Sequence, residues 1–320
     1  MLDSRTIKEY AIKCGADVVG VASLDRWEGA PKQMDPRYIF PGAKAMVVMG
    51  FRILRGCLRG IEEGTFFVAY SSMGYAGLNH VLMPMVLWSF CRMLEDEGYE
   101  AVPITNNFKW SNSVKSGSDP ARTGQMRPEW SRPVSPDKPA PDVFLHLRLA
   151  AFCAGLGEIG YSKVFLTPQF GPRQRLAAVL TNAPLEPDPL FNGGLCDRCM
   201  ACVRECSGQA ISSTETVKVR VAGRELEWGK LDYEKCSRAF CGGSSETNPF
   251  MVTSEDEQGF TQPVGWAQNY KVAPTYDYGR AIEGASGCMR ACMVHLEEQG
   301  KLTNKFGEPF RTGKPWRLTR

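Results

Sequence analysis

Four cysteines stand in the stretch CDRCMACVREC, at Cys196, Cys199, Cys202 and Cys206. Their spacing, C-x2-C-x2-C-x3-C, is a ligand spacing. It is the bacterial ferredoxin spacing for a [4Fe–4S] cluster, in which a tight loop aims three thiolates at one cube. The fourth cysteine, at the start of the following helix, points away and ligates a second cube in two-cluster proteins. Zinc is the alternative, but it usually takes two separated C-x2-C knuckles around a single ion.

A second cube needs further thiolates, and four late cysteines remain: Cys236, Cys241, Cys288 and Cys292. The count assigns Cys196, Cys199, Cys202 and Cys292 to cluster one, and Cys206, Cys236, Cys241 and Cys288 to cluster two. Spacings in the second group are irregular, and Ser207 and Met293 stand where a ferredoxin motif usually carries proline. The plainer alternative is a single cluster, with Cys236 and Cys241 as spare thiols. Cys14, Cys57, Cys91 and Cys153 lie among apolar neighbours and are expected to be packing residues.

The 320 residues suffice for one large core or a core with an appended module. Lys+Arg number 38 against Asp+Glu 35, so no basic excess exists to neutralise phosphates, and a nucleic-acid partner is not expected. No run approaches the roughly 18 apolar residues of a membrane span. The N-terminus MLDSRTIKEYAIKCG shows neither an apolar signal core nor a twin arginine, which predicts a cytoplasmic location.

Along the chain, Ser4 and Gly15 bracket a predicted helix. Residues 17–22 and 43–51 read as strands, 77–98 as a long helix that Pro84 bends, and YEAVPI as a third strand. The polar stretch 106–141 reads as a long irregular segment. A helix is expected from Asp142, as N-cap, through Phe152, then the glycine turn AGLGEIG and a strand at 175–181. This alternation predicts an α/β core over residues 1–185. Residues 186–320 hold the cysteines, with the hairpin-like stretch TVKVRVAGRELEW between the two groups.

Two blocks resemble the corrinoid-dependent reductive dehalogenases: YSSMGYAGLNHVLMPMVLWSFCRMLEDEGYEAVPI and LAAFCAGLGEIGYSKVFLTPQFGPRQRLAAVLTNAPLEPD. The second block is shared with the epoxyqueuosine reductases, and the cysteine motif follows it in the same order. The resemblance covers roughly residues 15 to 320. It implies an α+β fold, with a nitroreductase-like α/β core that holds cobalamin base-off and a bacterial ferredoxin-like domain with two [4Fe–4S] clusters. It further implies a cobalamin-dependent reductase in which electrons pass through both clusters to cobalt, which then attacks a small-molecule substrate. An external donor such as ferredoxin or flavodoxin would supply the electrons.

Tyr161, which stands where that family often has Arg, and Arg173, which follows PQFGP, are the catalytic candidates. The resemblance marks Tyr70, Asn79, Gly155, Gly157, Gly160 and Arg175 as cobalamin-binding candidates, the glycines because they let a ligand approach the backbone. Plainer readings stand beside these: a tight turn for the glycines, a core tyrosine for Tyr161, a surface pair for Arg173 and Arg175. Departures also stand out. The helical-repeat domain that epoxyqueuosine reductases use to hold tRNA is not expected here. The stretch 101–135, where dehalogenases place a catalytic tyrosine, contains none and offers Asn106, Asn107, Trp110 and Trp130. Two other functions therefore remain open: a corrin-free electron-transfer or reductive-activation protein, and a tRNA-modifying epoxyqueuosine reductase-like enzyme.

Overall fold

The computed structural model describes residues 2–66, 68–106, 133–141, 143–240, 287–311 and 313. Asn107, Trp110, Trp130, Asp142 and Cys241 lie outside them.

The centre is a four-stranded, wholly antiparallel sheet. Strands β1 (Val18–Ser23), β2 (Ala45–Arg52) and β3 (Ala101–Ile104) join β6 (Gln174–Thr181) in the order β1-β2-β6-β3. The two inner strands, β2 and β6, are buried on both faces and read as continuous apolar runs. The expected alternation of strands and helices is present, but its crossovers do not generate parallel pairs. Pro103 is tolerated because β3 is an edge strand, where one missing N–H breaks no ladder on the open side.

Period-two alternation divides the core. Val47, Met49 and Phe51 face helices α1 (Ser4–Cys14) and α3 (Met83–Asp96), while Met46 and Val48 face α4 (Leu147–Cys153). Cys57, Cys91 and Cys153 are buried in these clusters and Cys14 packs against one, as expected of packing thiols. Helix α1 is capped by Asp3 rather than Ser4: the Asp3 carboxylate accepts the Thr6 N–H at 2.7 Å. Gly15, at φ 118°, ends it as expected. Helix α4 begins at Leu147 with His146 as its cap, not Asp142; His146 Nδ1 accepts the Leu149 N–H at 3.3 Å.

The helix read as 77–98 is two differently wound pieces. Ala69–Leu82 forms a π-helix, closed by a Met83 N–H bond to the Leu78 carbonyl, five residues back. Helix α3 then starts at Met83, which puts Pro84 in the first turn, where its missing N–H costs nothing. Long π segments are rare and concentrate at functional sites.

Short strands β4 (Glu158–Ile159) and β5 (Phe165–Leu166) pair beside the sheet. Beyond the core, β7 (Ile211–Val221) and β8 (Arg224–Leu231) form the expected hairpin. Apolar burial seats it, since Val221 and Trp228 enter the same cluster as Leu24 and Phe152. Helix α7 (Cys288–Glu298) sends Met289 and Met293 into the cluster built on the other sheet face, where Phe310 joins them. Among the described residues no helix is long and apolar enough to cross a membrane.

Helix α7 is tied to α2 (Gly56–Glu63) by a bidentate pair: Arg290 Nε to Glu62 Oε2 and Nη2 to Oε1, both 2.7 Å. The side chains are only 4% and 2% exposed. Removing one partner of such a pair strands a buried charge, at a cost of about 3–5 kcal/mol. Glu62→Ala should therefore lower unfolding stability by about that much, read from the denaturant midpoint. A loss comparable to that of an exposed pair such as Arg5–Glu9 would show that the contact is not what anchors α7.

Candidate metal centre

Cys196, Cys199, Cys202 and Cys292 line one cavity, together with Gly160, Tyr161, Asp197 and His295. Three of these thiols come from the loop before α5 (Ala201–Arg204) and from α5 itself; Cys292 comes from α7. The loop can turn tightly because Arg198 and Met200, on either side of Cys199, adopt left-handed backbone at φ 58° and 61°. Such local reversals turn successive N–H groups inward and build anion-binding concavities, a recurrent feature of iron–sulfur sites. The Tyr161 N–H points at Cys196 Sγ at 3.3 Å.

Neighbouring groups hold the loop in shape. The Glu158 carboxylate accepts the N–H of Cys196 at 2.5 Å and of Gly194 at 3.2 Å. Asp197 accepts the Cys199 N–H at 3.1 Å and bonds His295 Nε2 at 2.8 Å and Gln299 Nε2 at 2.7 Å. These bonds, Gln299 foremost, hold the Asp197 carboxyl well below the usual carboxylate range. Beneath lies an apolar floor of Leu166, Leu195, Leu296 and Leu302.

Burial pushes the Cys202 thiol up to about 11, and Cys196 and Cys199 add to the shift. Burial also drives Cys292 upward, reinforced by Cys196 and Cys202. Burial and crowding thus disfavour the Cys202 and Cys292 thiolates, whereas a bound cation inverts that balance and deprotonates a coordinating thiol outright. The four thiols, with the Tyr161 N–H directed at Cys196, fit a thiolate-ligated metal centre.

The second group gathers beside the first. Cys206 is buried in an apolar cluster with Cys202, Ile211 and Tyr161, and Cys236 and Cys288 pack against that cluster. The Ala210 N–H points at Cys206 Sγ at 3.4 Å. Cys236 lies on α6 (Tyr233–Phe240) and Cys288 begins α7.

The catalytic candidates are placed differently. Tyr161 is buried and its hydroxyl donates to the Ser212 carbonyl at 3.0 Å. Arg173, 1% exposed, is not one of a surface pair. Its guanidinium donates to the Ile53 carbonyl at 2.7 Å and to Asn304 Oδ1 at 2.9 Å. Of the glycines, Gly155 at φ 71° approaches the Pro189 carbonyl and Gly157 the Leu166 carbonyl, so closely that a Cβ would lie 2.1 and 1.9 Å from those oxygens. A Cβ on Gly160 would meet the Leu166 side chain at 3.1 Å. The close contacts these glycines permit are with the chain's own atoms.

Tyr70 and Arg175 do converge. Both Tyr70 and Asn79 sit buried on the π-helix. Arg175 Nη2 donates to Tyr70 Oη at 3.2 Å and its guanidinium stacks 4.0 Å above the Tyr75 ring. Asn79 Oδ1 accepts from Asn106 at 3.3 Å. Arg175 Nε is buried without a hydrogen-bond partner among the described residues, which fits an acceptor such as a carboxamide oxygen. Sequence reasoning missed Arg148, Lys163 and Tyr233, which lie alongside; Lys163 Nζ donates to the Tyr233 hydroxyl. No ligand spacing or turn signal distinguishes them in the sequence.

No protein-family model matches the chain. Over 110 residues it is 36% identical to a tetrachloroethene reductive dehalogenase of Sulfurospirillum multivorans, covering 30% of this chain and 22% of that one. A tetrachloroethene reductive dehalogenase of Dehalobacter restrictus is 42% identical over 69 residues, 21% and 12% of the two chains. The match thus spans under a quarter of either relative's length. A solved catabolic reductive dehalogenase shares the fold over 73% of this chain and 28% of its own, with a TM-score of 0.50 and 22% identity.

Burial first, then the Arg148 and Lys163 charges, push the His146 ring down to about 3. The folded chain keeps it neutral, while the unfolded ring takes a proton near pH 6.5. Stability should fall as pH drops from about 6.5 towards 3, by up to about 1.4 kcal/mol per pH unit. His146→Asn retains a cap and should remove this share of the slope, measured from denaturant midpoints at pH 7 and pH 5. An unchanged slope would mean that His146 is not held neutral by the fold.

Proposed function

We propose that this chain is a cobalamin-dependent iron–sulfur reductase of a small organic substrate, a reading its similarity to reductive dehalogenases supports. The observation that carries the reading is the gathering of thiols from residues almost a hundred positions apart into two adjoining groups. Cys196, Cys199, Cys202 and Cys292 would hold one [4Fe–4S] cluster. Cys206, Cys236, Cys241 and Cys288 would hold the other.

In this reading residues 1–185 form a nitroreductase-like core and residues 186–320 a ferredoxin-like part. Bound cobalamin would supply the substrate reduction, fed with electrons from a ferredoxin- or flavodoxin-type donor through the clusters. The chain's own residues bind, orient and insulate. Tyr70, Asn79 and Arg175 present polar groups where the π-helix meets the sheet. The glycine turn at 155–160 brings Tyr161 against both cysteine groups, with its N–H on Cys196 and its ring beside Cys206. Arg173 is held in the core through the Ile53 carbonyl. Near-balanced charge gives no electrostatic footing for tRNA.

Metal content tests this. Protein made without oxygen in cobalamin-supplied cells should carry eight irons and one cobalt per chain. Eight irons without cobalt, even after refolding with cobalamin, would sink the corrin reading in favour of an electron-transfer protein. Substitution tests the wiring. Cys199→Ala should remove roughly half of the iron and one EPR signal, and Cys206→Ala the other signal. Loss of the same signal in both variants would refute the crossed assignment.

A further inference from the structure

Arg55 stands just before α2, is 9% exposed, and has no part in the proposed electron path. One of its nitrogens is satisfied: Nη1 donates to the Glu308 carbonyl at 2.6 Å. Nε and Nη2 are buried without a hydrogen-bond partner among the described residues. Arg290 shows what that pair of nitrogens does when satisfied, since its Nε and Nη2 grip both oxygens of Glu62 at 2.7 Å. The carboxylate that ion-pairs with Arg55 among the described residues is Glu297. Its Oε2 stands 3.6 Å from Nη2 and already accepts the Phe310 N–H at 2.7 Å.

A second buried cation adjoins. Arg173 gives Nη1 to the Ile53 carbonyl at 2.7 Å and Nη2 to Asn304 Oδ1 at 2.9 Å. Its Nε is buried without a partner among the described residues. Both guanidiniums lie against the Phe306 ring, 4.3 Å from its centroid for Arg55 and 5.4 Å for Arg173. Burial lowers the Arg173 pKa to about 10; the Glu297 charge opposes that shift, and the Arg55 and Arg52 charges add to it. Arg52 is exposed and paired with Asp17, so two buried guanidiniums share one carboxylate. A buried charge without a counter-charge is unfavourable, and so is a buried N–H without an acceptor.

We propose that Arg55 and Arg173 bind one small monovalent anion, of the halide class, beside the Phe306 ring. Three donors are free for it: Nε and Nη2 of Arg55 and Nε of Arg173. One negative charge balances the surplus. A divalent oxyanion would set a second charge against Glu297 and bring more oxygens than the free donors can satisfy. A halide accepts from several donors at once and carries no oxygen that needs its own partner. The ion would fasten the segment 304–310, because Phe306 and Phe310 both lie on the Arg55 guanidinium. The inference stands apart from what the thiols hold.

Equilibrium dialysis of the anaerobically prepared full chain against labelled chloride, in gluconate buffer of constant ionic strength, tests this. The wild type should bind one chloride per chain, displaced by bromide and not by gluconate or sulfate. Arg55→Gln should weaken binding by about tenfold, the scale of a lost hydrogen bond to a charged group. Arg59→Gln, at an exposed arginine paired with Glu63, should leave binding unchanged. Anomalous scattering from wild-type crystals grown in bromide locates the ion even where Arg55→Gln fails to fold, and the peak should lie within hydrogen-bonding reach of Arg55 Nε. The absence of saturable chloride in the wild type overturns the proposal, as does wild-type affinity in Arg55→Gln or a bromide peak only elsewhere. Displacement of the chloride by sulfate overturns the assignment to a halide.

Discussion

One buried ion pair sets where the two cysteine groups can sit. Arg290 lies between Cys288 and Cys292 on the same helix, and its guanidinium is clamped on Glu62 of α2. Met289 and Met293 of that helix enter the main apolar core. A single helix therefore ties both cysteine groups to the sheet. With Glu62 and Arg290 nearly excluded from water, their mutual hydrogen bonds are the main compensation for two buried charges. The helix is held in register by electrostatics and seated by apolar burial.

Given that helix, the loop 195–200 does the rest. Left-handed backbone at Arg198 and Met200 folds three thiols back towards Cys292. Glu158 grips the loop's N–H groups from the β4 strand, and Asp197 is braced by His295 of α7 and by Gln299 just past its end. Every brace is a charged or polar group spent on backbone geometry. The Cys202 and Cys292 thiols are pushed towards neutrality by burial and by neighbouring thiols. A site strained in that way is relieved by a cation, which is why metal loading and local order should be coupled.

The π-helix plays the matching part on the core side. Its wide winding places Tyr70 and Asn79 inward, where the Arg175 guanidinium from β6 meets the Tyr70 hydroxyl. Burial pushes the Tyr70 phenol up, while Arg175 pulls it back. Cys288 is also among the groups that act on Tyr70, so this polar corner and the second cysteine group adjoin.

Much was legible in the sequence. The apolar runs that became β2 and β6, the edge strand with its proline, the stop at Gly15 and the late hairpin follow from local propensity and pattern. So did the ligand spacing 196–206, because a short loop must bring neighbouring thiols to one centre. What the sequence could not show is where distant parts meet. That Cys292 joins the first group while Cys288 packs with the second depends on how helix Cys288–Glu298 rests on Glu62. That His146 caps its helix, that Gly155 and Gly157 face the chain's own carbonyls, and that Arg173 is buried against Ile53 are outcomes of packing. Lys163 carries no motif at all; only the fold brings it against Tyr233. Local chemistry fixed which residues can bind a metal, whereas burial and long-range contact decided which of them stand together and what charge surrounds them.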